Sequence, residues 1–174
     1  MLLADDDEGS EPVEPVVERG PEEIAEELSE RTLTESLEKE DAGLRAAYPE
    51  GWRRSESSGI ITLESPDRCI AISLSSPATA AQADQLLRDS IKGVQASFKR
   101  AEIRRSQQRT VGGRPTSGAL IAVRNKQGKP VIVELAVSKG KQLAHLTQLA
   151  LRSPPCEAAA PQMDLIIESI EYSR

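Results

Sequence analysis

Apolar and polar residues alternate along several short segments of this chain. In residues 69–75, Ile70, Ile72 and Leu74 occupy every second position, a period typical of a half-buried β-strand. Residues 141–151 fit a helix nearly as well as a strand, and we interpret them as a strand because they follow a two-strand meander. The pattern predicts strands at residues 52–56, 59–64, 69–75, 101–111, 117–124, 130–138 and 141–151.

Three other segments have helical spacing. Residues 80–99 carry an apolar stripe on one face, and residues 157–172 form a second apolar segment at the end of the chain. Near the start, Pro21 is followed by two glutamates, and both features suit the first turn of a helix. We expect that helix to run to about Lys39. The apolar positions of the two later helices are Leu86, Leu87, Ile91, Val94 and Phe98, and Met163, Leu165, Ile166, Ile167 and Ile170.

The predicted order after residue 43 is three strands, a helix, four strands and a helix. Mostly short connections favour antiparallel pairing, and two helices with single apolar faces can cover such a sheet. We therefore predict an α+β domain over residues 44–174. An amphipathic helix and linker over 21–43 and an acidic, disordered tail over 1–20 precede it, because the tail has too few apolar residues to order itself.

Charge is divided unevenly along the chain. Residues 1–40 contain 15 acidic and 3 basic side chains, whereas residues 41–174 contain 13 acidic and 19 basic ones. The acidic extension has two interpretations. It is a solvated tail that keeps the protein soluble, or it folds back on the basic body through attraction that salt weakens.

No run of 18 or more apolar residues exists, so no segment has the composition of a membrane-spanning helix. The start of the chain nevertheless gives a hint about its location. An apolar stretch at residues 1–4 precedes four consecutive acids, as if it were the stump of a longer apolar segment. On this hypothesis the full-length product is exported and anchored, which allows peripheral membrane association. A cytoplasmic location is the alternative.

The chain has two cysteines, Cys69 and Cys156. A tetrahedral zinc site needs more ligands than these, and only His145 could assist, so we predict no metal site. The two thiols form a disulfide in an oxidising compartment, or they are simply buried. In the predicted layout one cysteine lies on a strand and the other just before a helix that packs on the sheet.

Candidate catalytic residues are few. Any histidine-dependent hydrolase must use His145, the only histidine, and we interpret it as a core or strand-face residue in an apolar stretch. The glycine-rich residues 112–118 lack the ending of a phosphate loop, and Pro115 removes an amide donor. We predict a turn there, no catalytic residues and no cofactor.

One basic cluster is a candidate binding surface. Its cations suit an anionic lipid head group or nucleic acid. Because no aromatic residue interleaves it, base stacking has no platform and nucleic acid is not the expected partner. The alternatives are a solvated, charge-protected strand edge and a dock for the acidic tail. We define the basic cluster as Lys92, Lys99, Arg100, Arg104, Arg105 and Arg109.

The order of features resembles the PsbP-like family, which includes the photosystem II subunit PsbP, a Ran-binding nuclear import factor and LpqN-type bacterial lipoproteins. The resemblance covers residues 44–172 and implies an α-β-α sandwich around a central antiparallel sheet, with a protein-binding, non-enzymatic role. The features that carry it are Tyr48-Pro49-Glu50-Gly51-Trp52, the strand at 59–63, Ser65-Pro66-Asp67, Val111-Gly112-Gly113-Arg114-Pro115 and the C-terminal Ile167-Glu168-Ser169-Ile170.

Three functional hypotheses follow. The first is a non-enzymatic binding module of the cell envelope, outside the cytoplasmic membrane, whose partner is a protein or an anionic cell-surface component. The second is a cytosolic adaptor that binds an acidic protein and is inhibited by its own acidic tail. The third is a hydrolase that uses His145, which requires a carboxylate, serine or cysteine within hydrogen-bond reach of the ring.

Overall fold

The computed structural model describes residues 33–98, 100–152 and 156–173, and for residues 107, 157 and 158 only the backbone. The predicted tail over 1–20 and most of the predicted N-terminal helix lie outside the described residues.

The described residues form two helices, three 3-10 turns and ten strands. The helices are α1 (Ala83–Ser97) and α2 (Ala160–Glu168), and the 3-10 turns span Glu40–Ala42, Ala80–Gln82 and Cys156–Ala159. The strands are β1 (Leu33–Lys39), β2 (Leu44–Pro49), β3 (Arg53–Ser57), β4 (Ile60–Glu64), β5 (Ile70–Thr79), β6 (Ala101–Val111), β7 (Arg114–Arg124), β8 (Pro130–Lys139), β9 (Leu143–Arg152) and β10 (Glu171–Tyr172).

Seven strands form one large sheet in the order β3-β4-β5-β9-β8-β7-β6, and every neighbouring pair is antiparallel. Tight turns join most sequence neighbours, which is the connection that antiparallel pairing allows. The alternation in 69–75 correctly predicts the inward face of β5, because Ile70, Ile72 and Leu74 are at most 1% exposed. The ambiguous segment 141–151 is a strand, as predicted.

The large sheet is covered on both faces. On β8, Val133 and Leu135 pack with Val94 of α1, whereas Ala136 belongs to the cluster that contains Ile166 of α2. Successive side chains of a strand point to opposite faces, so the two helices lie on opposite sides of the sheet. This arrangement confirms the predicted α+β class and the α-β-α layering.

The expected N-terminal helix is wrong over residues 33–39, which form β1 instead. This strand pairs with β2, which was not predicted, and with β10 they make a small sheet in the order β1-β2-β10. Leu37 is buried in the same cluster as Leu44 and Tyr48 of β2. This packing overrides the helical preference of the glutamate-rich sequence. The described fold therefore includes residues 33–43, which precede the predicted domain start at residue 44.

The C-terminal helix is shorter than the predicted 157–172, because α2 ends at Glu168. At the next residue, Ser169 Oγ accepts a hydrogen bond of 2.9 Å from the amide of Ala47. This contact turns the chain toward β2, and Tyr172 then pairs with Leu44 as part of β10. Similarly, α1 is shorter than the predicted 80–99, since residues 80–82 form a 3-10 turn.

The glycine turn between β6 and β7 holds the end of α2. The amide of Gly112 donates to the carbonyl of Ile167 at 3.3 Å, and Arg114 Nη2 donates to the carbonyl of Tyr172 at 2.7 Å. Gly112 has a φ of +56°, and a Cβ at this position would lie 1.6 Å from the carbonyl oxygen of Ile170. Only glycine permits so close an approach of two backbones.

We expect Gly112→Ala to destabilise the protein by more than about 3 kcal/mol, because the added methyl group cannot fit without separating the turn from α2. Gly113→Ala is the matched control, since it also has a positive φ of +73° but no atom within 4 Å of its added Cβ. The control should cost only about 1 kcal/mol of backbone strain. Equal losses in urea unfolding would contradict the steric explanation.

Candidate functional site

The structure separates the members of the predicted basic cluster. Lys92 is exposed on α1, and Lys99 lies outside the described residues. Arg104 lies at a register shift of β6 and pairs with Glu102 at 3.1 Å. Arg105 is opposite Leu120 in the ladder, on the face that carries Glu134. The five described members of the cluster therefore do not form one surface.

Arg109 is held by two acidic side chains of the fold. Its Nη1 donates to both carboxylate oxygens of Glu134, at 3.2 and 3.0 Å, and its Nη2 donates to Asp164 of α2. Burial acts to lower the pKa of Arg109, but the charge of Glu134 and the hydrogen bonds to both acids outweigh it and raise the pKa above its usual value. This guanidinium connects β6, β8 and α2, so its charge is not available to a partner.

Arg100 instead belongs to a basic groove at one end of the large sheet. The groove has a volume of about 740 Å³ and lies between the end of α1 and the β7–β8 hairpin. The amide of Arg124 donates to the carbonyl of Arg100 at 3.4 Å, so the two arginines are held beside each other. We define the basic groove by its lining residues, which are Ser97, Phe98, Arg100, Arg124, Asn125, Lys126 and Gly128.

The hairpin side of the basic groove is held by local hydrogen bonds. Asn125 Oδ1 accepts from the amides of Gln127 and Lys129 at 3.0 and 2.9 Å. Arg124 Nη1 donates to the carbonyl of Gly128 at 2.7 Å. An asparagine that satisfies backbone amides in this way stabilises a tight turn. The groove is therefore shaped before any ligand arrives, which lowers the entropic cost of binding.

The basic groove concentrates positive charge. Within the described ranges, no carboxylate lies within ion-pair distance of Arg100, Arg124 or Lys126. A second, adjoining groove of about 550 Å³ shares Arg100 and Arg124, and its lining also includes the ion pair of Arg104 and Glu102. In the basic groove, Arg100, Arg124 and Lys126 line one concave surface. Together they attract an anionic group more strongly than separate cations on a convex surface would.

Phe98 supplies an aromatic side chain, which the predicted basic cluster was expected to lack. Its ring packs partly against the core cluster beneath α1, and it also lines the basic groove. The groove thus combines cations with one aromatic side chain. The predicted cluster did not include Arg124 and Lys126, because it grouped cations that are close in sequence. These two residues belong to the β7–β8 hairpin and lie beside Arg100 only in the folded structure. The short gap between the predicted strands 117–124 and 130–138, which implies a hairpin there, was the signal that could have located them.

His145 is fully buried in a polar network inside the fold. Its Nδ1 lies 2.8 Å from Ser76 Oγ, and its ring stacks on Tyr172 with centroids 4.0 Å apart. A serine is therefore within reach, so the hydrolase hypothesis does not fail on that criterion. Ser76 lines an open cavity of about 520 Å³, but His145 does not line it. A general base must pass its proton to a leaving group, so this placement favours a structural role.

Tyr172 completes this network from β10. Its hydroxyl lies 2.9 Å from Thr147 Oγ1, and burial raises the pKa of Tyr172 to about 12, with the hydrogen bond to Thr147 acting in the opposite direction. The stacked pair of His145 and Tyr172 therefore joins the last strand of the small sheet to the centre of the large sheet.

Cys69 and Cys156 form a disulfide in the structure, with Cα atoms 5.2 Å apart. This separation lies within the usual range for such bonds. The turn over 65–67 positions the first cysteine, because Asp67 Oδ1 accepts hydrogen bonds from Ser65 Oγ at 2.5 Å and from the amide of Cys69 at 2.9 Å. The bond connects the start of β5 to the 3-10 turn that leads into α2.

Within the described ranges, no three histidine, cysteine, aspartate or glutamate side chains gather into a group that could hold a metal ion. Neither α1 nor α2 has the length and apolar composition that crossing a bilayer requires.

The chain has the fold of PsbP and Mog1 proteins. It superposes on a Bacteroides thetaiotaomicron VPI-5482 protein with a TM-score of 0.60 and 13% identity, over 82% of this chain but only 50% of the other. The Saccharomyces cerevisiae Ran-binding protein Mog1p gives a TM-score of 0.55 at 9% identity, over 79% and 94% of the two chains. Cyanobacterial PsbP (CyanoP) from Synechocystis sp. PCC 6803 gives 0.53 at 13%, over 79% and 91%.

No family model and no curated protein matches the sequence. At these low identities the likeness to solved structures concerns the fold alone. It does not identify a partner or a reaction, so the function has to be argued from the surface of this chain.

We expect stability to fall in alkaline solution because of Tyr172. Its folded-state pKa of about 12 lies above the usual value near 10, so its contribution is complete below about pH 10 and is lost as the pH rises through about 12. The free energy of unfolding should decrease by up to about 3 kcal/mol in this window. Urea unfolding of Tyr172→Phe should lack that decrease, whereas Tyr48→Phe should retain it; an unchanged pH profile in Tyr172→Phe would refute the assignment.

The disulfide should contribute strongly to stability because it closes a loop between residues 87 positions apart. The loop-entropy model gives about 4–5 kcal/mol for such a loop. Cys69→Ala, Cys156→Ala and the double variant should therefore lose similar amounts in urea unfolding, since each removes the same bond. Additive losses in the two single variants, or two free thiols in protein folded under oxidising conditions, would show that the cysteines act independently.

Proposed function

We propose that this protein is a non-enzymatic binding module of the cell envelope, located outside the cytoplasmic membrane, and that an acidic segment of a protein partner binds in its basic groove. The observation that carries the proposal is the convergence of Arg100, Arg124 and Lys126 on one preformed concave surface. Carboxylate side chains suit these cations, because charge-assisted hydrogen bonds to guanidinium groups are stronger than neutral ones.

The shape of the groove supports a peptide in preference to a flat anionic surface. Phe98 lies in the groove with the cations, and an acidic segment with an occasional apolar side chain can contact both. A membrane surface would meet only the outermost cations of a concave site. An anionic cell-surface component is therefore the alternative ligand, and binding to anionic vesicles distinguishes it from a peptide.

The extracytoplasmic location rests on the cysteines. Disulfides persist mainly in oxidising compartments. The pairing of Cys69 with Cys156 supports such a compartment, and protein isolated from its native source should contain no free thiol. The second candidate is a cytosolic adaptor that binds the same kind of acidic partner, and two free thiols in the isolated protein would favour it.

The groove is tested by titrating the full chain with a fluorescein-labelled oligoglutamate peptide at low salt. Arg100→Glu/Lys126→Glu should weaken binding by about tenfold or more, equivalent to about 1.4 kcal/mol, because two attractive charges become repulsive. Both side chains are exposed and make no hydrogen bond within the described structure, so the fold should be retained.

The matched control is Lys139→Glu/Lys141→Glu, which changes the net charge equally. These lysines lie at the other end of the ten-residue strand β8, about 30 Å from the hairpin. Binding that is weakened equally by both double variants would refute a localised site. Binding to phosphatidylserine vesicles but not to the peptide would replace the protein partner by an anionic surface.

A further inference from the structure

The acidic N-terminal extension and the basic groove have complementary charge. Residues 1–32 contain twelve acidic and two basic side chains, and the rest of the chain contains sixteen acidic and twenty basic ones. The most concentrated acidic stretch is residues 5–8, where four acids follow one another. We propose that this stretch occupies the basic groove of the same molecule and competes with the acidic partner. The inference rests on the proposed function of the groove.

The groove is a more favourable destination than the basic positions of the body that already have an acidic partner. Arg45 and Arg53, both exposed, are already paired with Glu38 and Glu64. Lys39 is paired with Glu56, and this contact raises the pKa of the lysine. A carboxylate that approaches these cations must displace an existing partner. At Arg100 and Lys126 it displaces only water and salt ions, as far as the described residues extend.

The chain is long enough to make the contact. Glu8 and Leu33 are separated by 25 residues, which can span up to about 80 Å when extended. A folded body of this size has a radius of gyration of about 14 Å, so every point on its surface is within reach. A tethered ligand also acts at a high effective concentration, on the order of millimolar. Weak individual ion pairs are therefore sufficient for partial occupancy of the groove.

The contact should be sensitive to salt and easily displaced. Ion pairs on an exposed surface contribute little individually, and physiological salt screens them within about 8 Å. A partner that offers more carboxylates than the four of residues 5–8 can displace the chain's own acidic stretch. Competition from residues 5–8 would thus exclude weakly acidic ligands from the basic groove and allow a more strongly acidic partner to bind.

The experiment detects the intramolecular contact directly in the full chain. A nitroxide label is attached through Ser10→Cys, after the native disulfide has formed, and its paramagnetic broadening of amide NMR signals is measured. In low salt we expect broadening at Arg100, Lys126 and Gly128 and none at Lys139 or Lys141. The broadening should disappear at high salt and in the Arg100→Glu/Lys126→Glu variant.

A second measurement separates this inference from the function proposed for the groove. The variant Asp5→Asn/Asp6→Asn/Asp7→Asn/Glu8→Gln removes the acidic charges of residues 5–8. It should bind the oligoglutamate peptide about three- to tenfold more tightly than the unaltered chain, because the internal competitor is lost.

The outcomes are distinguishable. Peptide binding at the groove without paramagnetic broadening there, or with unchanged affinity in the neutralised variant, would overturn the internal contact and leave the proposed function intact. Broadening at the groove without peptide binding by the neutralised variant would establish the internal contact and overturn the proposed function. Broadening at Lys139 and Lys141 equal to that at the groove would show non-specific attraction and overturn the inference.

Discussion

The large sheet must be covered on both faces, and the rest of the structure depends on this requirement. In β8, residues 133–138 are all buried, so each face of this strand is removed from water. One face packs on α1, and the other packs on α2 and the small sheet. A single helix could not bury both sets of side chains, because successive residues of a strand point in opposite directions. An α-β-α sandwich is the simplest arrangement that buries both faces of this sheet.

The layer formed by α2 is short and needs further connections. This helix has nine residues, which is too few for a stable helix in isolation. The disulfide fixes its beginning, and the amide of Gly112 donates to the carbonyl of Ile167 near its end. Arg109 connects its middle to β6 and β8. Glu134 is buried on the same face, where an ionised carboxylate requires a partner. The arginine that was expected to contact a ligand is thus used within the fold.

The accuracy of the sequence predictions follows the range of the interactions involved. The strands of the large sheet were predictable, because period-two alternation is a local signal. β1 was not, since its seven residues include only two apolar ones and it is stabilised by pairing with β2. The basic groove was half predicted. Arg100 belongs to a group of cations that are close in sequence. Arg124 and Lys126 come near Arg100 only because β7 pairs with β6 and β8.

The charge of this protein is better understood locally than as a total. A net charge of −6 would suggest an acidic surface that repels acidic partners. However, twelve of the 28 acids precede residue 33, and several of the others are paired with cations in the described structure. Because screening limits electrostatic effects to about 8 Å in physiological salt, a ligand at the groove responds mainly to Arg100, Arg124 and Lys126. The sign of the local field, and not that of the whole chain, decides which partner the groove accepts.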